Sequence, residues 1–232
     1  MDNYFVSSCK RVKDWICRQF GQKEKKTVHH KKFADGGEVI VWETGRAGEE
    51  AASYENLFLR KEIAGFRTNI RREQSCSIKS LTRDYLYKQL LSSGEYTFDH
   101  MLVIKDPYGE APLTALALFI LEEPACVRVT TKGNLKETDF VTELPKKKEH
   151  RVPILGMYAE KANDIVIEIL DDEGNCVKSH TFTIRTKRLP KSLRNVITVK
   201  KWTDKPAYSN IMINGGVKIH TCVFDIEGKI CY

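Results

Sequence analysis

The stretch that decides the fold is "KDPYGEAPLTALALFILEEPACVRVTTKGN", residues 105–134 of the 232-residue chain. It opens with turn residues, since Pro107 presets φ and Gly109 supplies a permissive backbone. The almost unbroken apolar run over 113–121 is typical of a strand buried on both faces. We therefore predict a structured corner, with Tyr108 packed over it and Pro112 as the first residue of a central core strand.

On both sides of this stretch, from residue 96 onward, the apolar residues recur with a period of 2. The pattern predicts seven short strands, over 97–105, 113–121, 125–132, 137–142, 151–158, 164–170 and 176–186. Strands of this length and spacing favour an Ig-like antiparallel β-sandwich. Its predicted core contains Leu113, Ala115, Ala117, Phe119, Val127, Val129, Ile165, Ile167, Phe182 and Ile184.

Before residue 96 the sequence predicts helices, so the fold class is mainly β with an N-terminal helical segment. A basic leader has Phe5, Cys9, Val12, Ile16 and Phe20 at helical spacing, and "QKEKKTVHHKKFADGG" (22–37) is interpreted as a solvated linker. Two further apolar stripes predict a helical hairpin that ends at Ser92-Ser93-Gly94: Leu59, Ile63, Phe66 and Ile70, then Ile78, Leu81, Tyr85 and Leu90. The predicted domains are 1–49, 50–95, 96–190 and 191–232.

Composition excludes several classes of function. The apolar fraction of 41% with 30% charged residues is typical of a folded globular protein, and no apolar run reaches the roughly 18 residues of a membrane helix. Seven cysteines without a CxxC pair indicate free thiols, and no secretory signal is present, so we expect a cytoplasmic location. We predict no metal site, no cofactor site and no nucleotide-binding loop.

The charge of the chain is concentrated in the leader, where residues 1–35 hold nine Lys or Arg against four Asp or Glu. Such a segment could contact an anionic membrane or nucleic acid, but it is more often a solvated helix face. The lysine-rich tract "ELPKKKEH" (143–150) is interpreted as a loop without aromatic residues to stack bases. We therefore expect neither nucleic acid nor a membrane surface as a partner.

Two motifs carry a resemblance to a known family. The segments "DPYGEAPLTAL" (106–116) and "VPILGMYAEKANDIVIEI" (152–169), joined by "VRVTTKGN", resemble the N-terminal domain of bacterial arylsulfotransferases that do not use phosphoadenylyl sulfate. The tail "VFDIEGKICY" (223–232) is similar to a hairpin of that family. The resemblance covers about residues 96–232.

The resemblance implies an Ig-like sandwich followed by the first strands of an incomplete six-bladed β-propeller. Enzymes of the family transfer a sulfuryl group from an aryl sulfate to a phenol through a sulfo-histidine, which requires a nucleophilic imidazole and oriented donors. None of the six histidines, His29, His30, His100, His150, His180 and His220, lies in a segment that matches the family's catalytic motifs. We therefore assign no catalytic residue, and we expect a structural and assembly module that is inactive without the propeller.

Several alternatives stay open from the sequence. The chain could be a stand-alone Ig-like binding module with a basic leader, or it could transfer sulfate through His220 or through propeller strands of another chain. The expected partner is the propeller domain, in cis or on an adjacent chain. The tail segments "NVITVKKW" (195–202), "SNIMIN" (209–214), "KIHTCVFD" (218–225) and "KICY" (229–232) are predicted as strands, and their unpaired edges also favour a homodimer.

Overall fold

The structure is a computed structural model that describes seven segments of the chain. They comprise residues 28–33, 36–65, 72–134, 138–189, 210–213, 222–225 and 229–231. The predicted leader helix and the predicted strand "NVITVKKW" (195–202) lie outside the described residues. No described helix is long and apolar enough to cross a membrane.

The described chain is mostly β-structure with two helices, which confirms the predicted fold class. The strands are β1 (Val28–Lys32), β2 (Glu38–Trp42), β3 (His100–Lys105), β4 (Ala115–Thr131), β5 (Phe140–Ile154), β6 (Ala162–Leu170), β7 (Cys176–Arg185), β8 (Asn210–Ile213) and β9 (Cys222–Asp225). The helices are α1 (Thr44–Gly65) and α2 (Arg72–Ser92). Helix α2 ends where the sequence predicts, because Gly94 adopts φ 72° directly after it.

Seven strands form one sheet in the order β1-β2-β3-β4-β6-β7, and β5 pairs with β4. The first half of β4 pairs with β3 and its second half with β6, while β5 follows it along the opposite edge. Register shifts near Ala125 mark the change of partner. The sheet thereby folds over into two facing layers, which share the long β4–β5 hairpin.

The space between the two layers holds the main hydrophobic core. All ten residues that the alternation places in the core belong to this cluster. Val39, Val41, Met101 and Val103 add the inward faces of β2 and β3, and each is at most 4% exposed. The period-2 pattern therefore identifies the inner faces of the sandwich correctly.

A second core lies on the outer face of the first layer, where the two helices cover it. It contains Ile40, Trp42, Ala47, Ala51, Leu86, Tyr87, Leu91, Tyr96, Leu102, Ile104, Leu116 and Leu118. The first half of β4 is buried on both faces for this reason, as its continuous apolar run predicts. Tyr54 of α1 and Tyr85 of α2 meet edge to face with ring centroids 5.1 Å apart.

The sheet nearly closes into a barrel where β1 approaches β7. Phe33, directly after β1, stacks on His180 of β7 with ring centroids 4.0 Å apart. Lys31 Nζ donates a hydrogen bond to the Thr183 carbonyl of β7 at 2.5 Å. Side chains therefore close this seam where no strand pairing is made.

The linker prediction for 22–37 is wrong from Val28 to Phe33. Val28–Lys32 form β1, and Phe33 directly after it is 5% exposed in the main core. The sequence of β1 shows no alternation of apolar and polar residues, because β1 is an edge strand whose charged side chains face solvent. Strand β2 is also missing from the prediction, and it pairs with β3 in parallel across the inserted helices. The sandwich is therefore antiparallel except for this one pair.

Four of the predicted strands are parts of two long ones. The segments 113–121 and 125–132 belong to β4, because exposed Glu122 and Glu123 lie at a bulge and not at a strand end. The segments 137–142 and 151–158 fall on β5, so the "ELPKKKEH" tract is an exposed edge strand and the loop prediction is wrong. Pro112 precedes β4 by three residues, in a turn, and is not its first residue.

Some smaller predictions also change. Leu81 was expected on the apolar stripe of α2 but is 46% exposed, and Leu86 is buried in its place. The side chains of the other predicted stripe, in and after α1, lie outside the described residues. In the tail, β8 and β9 pair antiparallel as a hairpin, and Ile230 packs against the main core.

Candidate functional site

The Asp106–Gly109 motif forms the turn that the sequence predicts between β3 and β4. Asp106 and Gly109 adopt φ 44° and 82°, and the Gly109 N–H donates to the Asp106 carbonyl at 3.0 Å. The Asp106 carboxylate accepts a hydrogen bond from the Ala111 N–H at 2.9 Å. The aspartate therefore stabilises its own turn, which is the ordinary role of this residue type in such a position.

Helix α2 holds this corner from outside. The Tyr87 hydroxyl donates to the Pro107 carbonyl, and Arg83 Nη1 donates to the same oxygen at 3.2 Å. Tyr108 is 38% exposed, and its ring lies edge to face on Tyr87 with centroids 5.9 Å apart. The corner tyrosine thus packs against the helix, and the corner fixes the helix to the sandwich.

Polar contacts extend the same attachment to β5. The Tyr108 hydroxyl donates to Asp84 Oδ1 at 2.6 Å, and Arg151 Nη2 donates to that oxygen at 2.5 Å. Burial, with the Asp84 hydrogen bond second, raises the pKa of Tyr108 to about 12. Both tyrosine hydroxyls and the Arg151 guanidinium thus have partners inside the protein, which gives this cluster a structural role.

The second motif, residues 152–169, closes the connection between β5 and β6. Asn163 is fully buried, accepts from the Tyr158 N–H at 2.7 Å and donates to the Tyr158 carbonyl at 3.0 Å. Gly156 adopts φ 79°, and a Cβ there would lie 2.5 Å from Phe140 Cβ. The glycine and the asparagine are therefore required by the backbone path, not by a ligand.

Two of the described histidines are buried. His180 lies between Phe33 and Phe98, with ring centroids 4.0 and 4.6 Å away, and its Nε2 is 2.8 Å from Asp99 Oδ1. A hydrogen bond from Lys178, assisted by that of His180, lowers the pKa of Asp99 although partial burial opposes this. The His180 ring thus belongs to the β1–β7 seam.

His150 is the second buried histidine. Its ring stacks on Phe119 with centroids 5.3 Å apart, and Nε2 lies 2.8 Å from the Lys147 carbonyl. Burial lowers the pKa of His150, although hydrogen bonds to the backbone oppose the shift. A neutral, enclosed imidazole of this kind stabilises the core and has no access to a substrate.

The exposed histidines each face a carboxylate. His29 Nε2 is 3.5 Å from Glu43, and Glu38 lies 3.4 Å from His30 Nδ1 and 3.0 Å from His100 Nδ1. The Glu38 carboxylate beside His30 and His100 repels an anionic sulfate ester. His220 lies outside the described residues, so the structure does not place this candidate.

A pocket of about 450 Å³ lies beside the β1–β7 seam and is rich in positive charge. We call it the basic pocket, and its charged or titratable residues are His29, Lys31, Glu43, Lys105, Arg185 and Lys187. Glu43 accepts from Lys105 Nζ at 2.7 Å and lies 3.7 Å from Lys187 Nζ. Four cationic side chains and one carboxylate thus line the pocket.

The pKa values in the basic pocket follow from this crowding. Burial, followed by repulsion from Lys105 and Arg185, lowers the pKa of Lys31. Burial raises the pKa of Glu43, but the Lys105 hydrogen bond and the nearby positive charges outweigh it, so the net pKa is lowered. The pocket therefore has a positive potential that one glutamate does not cancel.

The sequence gives no signal for the basic pocket. Its residues come from β1, β3, the β2–α1 junction and the end of β7, which are far apart along the chain. His220 is the only histidine that the sequence analysis considers as a nucleophile, and it lies outside the described residues. The structure therefore brings no predicted candidates together. Among the described residues, no group of three His, Cys, Asp or Glu side chains could hold a metal ion.

The comparisons with known proteins agree with the fold and with the two motifs. Residues 102–187 match the model of the family described as the arylsulfotransferase Ig-like domain. The match spans β3 to the end of β7 and includes both the corner and the Asn163 turn. Residues 102–187 therefore form an arylsulfotransferase Ig-like domain, which confirms the resemblance for that part of the chain. The comparison with curated proteins gives no match.

Proposed function

We propose that this chain supplies the structural and assembly portion of an arylsulfotransferase and does not itself transfer the sulfuryl group. The observation that carries the proposal is the use of the two family motifs. Asp106, Tyr108 and Asn163 direct their polar atoms to backbone or side-chain partners inside the domain. Residues that are fully engaged in holding turns are not available to hold a substrate.

The histidines support the same proposal. Transfer through a sulfo-histidine needs an accessible imidazole with donors directed at the sulfate oxygens. In the described part of the chain, His150 and His180 are at most 3% exposed, and the remaining histidines lie next to Glu38 or Glu43. Burial denies His150 and His180 access to a substrate, and Glu38 repels an anionic ester from His30 and His100. The His29→Ala variant below tests the ring beside Glu43.

The proposed partner is the propeller domain of such an enzyme, either in cis or on an adjacent chain. Two contacts support a firm connection at the C-terminal side of the sandwich. Leu189, just after β7, and Ile230, after the β8–β9 hairpin, both pack against the main core. Strands that follow the sandwich are thereby attached to it, which suits a domain whose role is to position a neighbour.

Turnover by the purified chain tests the proposal. The assay uses 4-nitrophenyl sulfate as donor and phenol as acceptor, and it follows the release of 4-nitrophenol. We expect release no faster than in buffer, because each missing catalytic element contributes about a hundredfold or more in rate. Turnover that disappears in His29→Ala or His220→Ala would contradict the proposal.

A further inference from the structure

We propose that the basic pocket is a binding site for a dianionic oxyanion carried on a small apolar body, such as a phosphate monoester of a phenol. This site is independent of the structural role proposed above. It is defined by the cations Lys31, Lys105, Arg185 and Lys187, by Glu43, and by the aliphatic stems of the lysines.

The charge balance of the pocket calls for an anion. Four cationic side chains face one carboxylate, so the pocket holds an excess of three positive charges. Lys105 Nζ already donates to Glu43 and to the Arg185 carbonyl at 2.7 and 2.8 Å, and its side chain is only 15% exposed. A second negative group would relieve the remaining repulsion, and a dianion does so more completely than a monoanion.

The hydrogen-bond balance gives the same result. Within the described residues, the Lys31 ammonium donates to one acceptor, the Thr183 carbonyl, and it has three N–H groups. The Arg185 guanidinium has no acceptor among those residues, although its charge acts on Lys31. The Lys31 and Arg185 side chains therefore have N–H groups that can donate to the oxygens of a bound anion.

The like-charge repulsion inside the pocket supports this reading. The pKa of Lys31 is lowered by burial and then by its cationic neighbours Lys105 and Arg185. An anion bound between these cations would reduce this repulsion.

The size and floor of the pocket decide what the anion is attached to. About 450 Å³ is more than one oxyanion occupies and suits a group the size of a phenyl ring beside it. Val41 and Ile184 line the pocket but are only 4% and 1% exposed, so the accessible apolar surface comes mainly from the aliphatic stems of Lys31, Lys105 and Lys187. An ester with an aromatic body is therefore expected to bind more tightly than the inorganic ion.

Isothermal titration calorimetry of the full chain at pH 8 tests the site. The probes are phenyl phosphate, inorganic phosphate and phenol, and at this pH the phosphate groups carry nearly two negative charges. We expect saturable binding of phenyl phosphate, weaker binding of inorganic phosphate and none of phenol. Inorganic phosphate binding as tightly as the ester would overturn the assignment of the apolar body, and no binding of either would overturn the site.

Two variants with opposite expected effects separate binding from misfolding. Lys31→Gln is expected to weaken phenyl phosphate binding about tenfold or more, because a charged hydrogen bond is lost. Glu43→Gln is expected to tighten it several-fold, because the internal competitor for the cations is removed, and a misfolded protein cannot gain affinity. Lys88→Gln, an exposed charge on α2, is the matched control and should leave the affinity unchanged. An affinity in Glu43→Gln equal to or below that of the wild type, or equal losses in Lys31→Gln and Lys88→Gln, would overturn the proposal.

Discussion

The Asn163 side chain hydrogen-bonds to both backbone groups of Tyr158. It accepts from the Tyr158 N–H at 2.7 Å and donates to the Tyr158 carbonyl at 3.0 Å. This buried amide also donates to the Lys161 carbonyl at 3.1 Å. One side chain therefore bonds to three backbone groups in the connection between β5 and β6. The Tyr158 and Lys161 carbonyls also accept from Thr186, so the Tyr158 N–H depends most on Asn163.

Asn163→Ala should consequently destabilise the protein by about 2–4 kcal/mol, because buried backbone groups lose their partners. Urea unfolding followed by circular dichroism measures this change. Asn134→Ala is the control, since Asn134 is exposed and accepts from Lys161 on the surface, and it should cost less than about 1 kcal/mol. Equal losses in the two variants would contradict the role assigned to Asn163.

Gly156→Ala should be more damaging than Gly174→Ala, although both glycines adopt a left-handed backbone. The φ values are 79° and 84°, so alanine costs about 1–2 kcal/mol at either position from the backbone alone. At Gly156 the new Cβ would also lie 2.5 Å from Phe140 Cβ, whereas nothing lies within 4 Å at Gly174. Denaturant midpoints of the two variants make the comparison, and a smaller loss at 156 than at 174 would refute the close approach.

Tyr87→Phe should lower stability at pH 7 by about 1 kcal/mol, since the hydroxyl donates to the Pro107 carbonyl. Burial raises the pKa of Tyr87 above its ordinary value. The unfolded phenol ionises near pH 10 while the folded one stays protonated, so this contribution is present below pH 10 and is lost as the pH rises further.

The difference in unfolding free energy between wild type and Tyr87→Phe should therefore shrink between pH 9 and 11. Tyr108 has a raised pKa in both proteins, so its effect cancels in the comparison. A difference that is constant with pH would show that Tyr87 ionises equally in both states.

Phe119→Asp should unfold the domain, because it places an unpaired charge at a fully buried position at a cost of several kcal/mol. Phe119 contacts Phe98 edge to face at 5.4 Å and stacks on His150 at 5.3 Å, so the change also removes two aromatic contacts. Val177→Asp is the matched control at 68% exposure and should leave the circular dichroism spectrum unchanged. A folded Phe119→Asp protein would contradict the packing of the main core.

The sequence pattern predicts the sandwich core well because inward residues of β4, β6 and β7 alternate strictly. It fails where tertiary context decides. Strand β1 is charged and holds its place through Phe33, and β2 joins the sheet by pairing with β3 across two helices. The exposed glutamates near residue 122 suggest a strand end, although β4 continues through a bulge there.

The candidate site is less accessible to sequence reasoning than the fold. The two family motifs can be recognised from the sequence because each is one continuous stretch of residues. The structure shows that they contain turns stabilised by Asp106 and Asn163. The basic pocket assembles from residues as distant as Lys31 and Arg185, which meet only because the sheet closes on itself. Hydrophobic periodicity and motif spacing do not predict that residues so far apart in sequence lie in one pocket.

The most direct test of the structural role is a search for a covalent sulfo-histidine on the chain. The purified protein is incubated with 4-nitrophenyl sulfate without acceptor. Its intact mass and its peptides are then measured at a pH that preserves the N–S bond of a sulfo-histidine. We predict no burst of 4-nitrophenol and no protein carrying the added mass of one sulfuryl group. A stoichiometric burst with that added mass on any histidine, lost when the histidine is replaced by alanine, would contradict it.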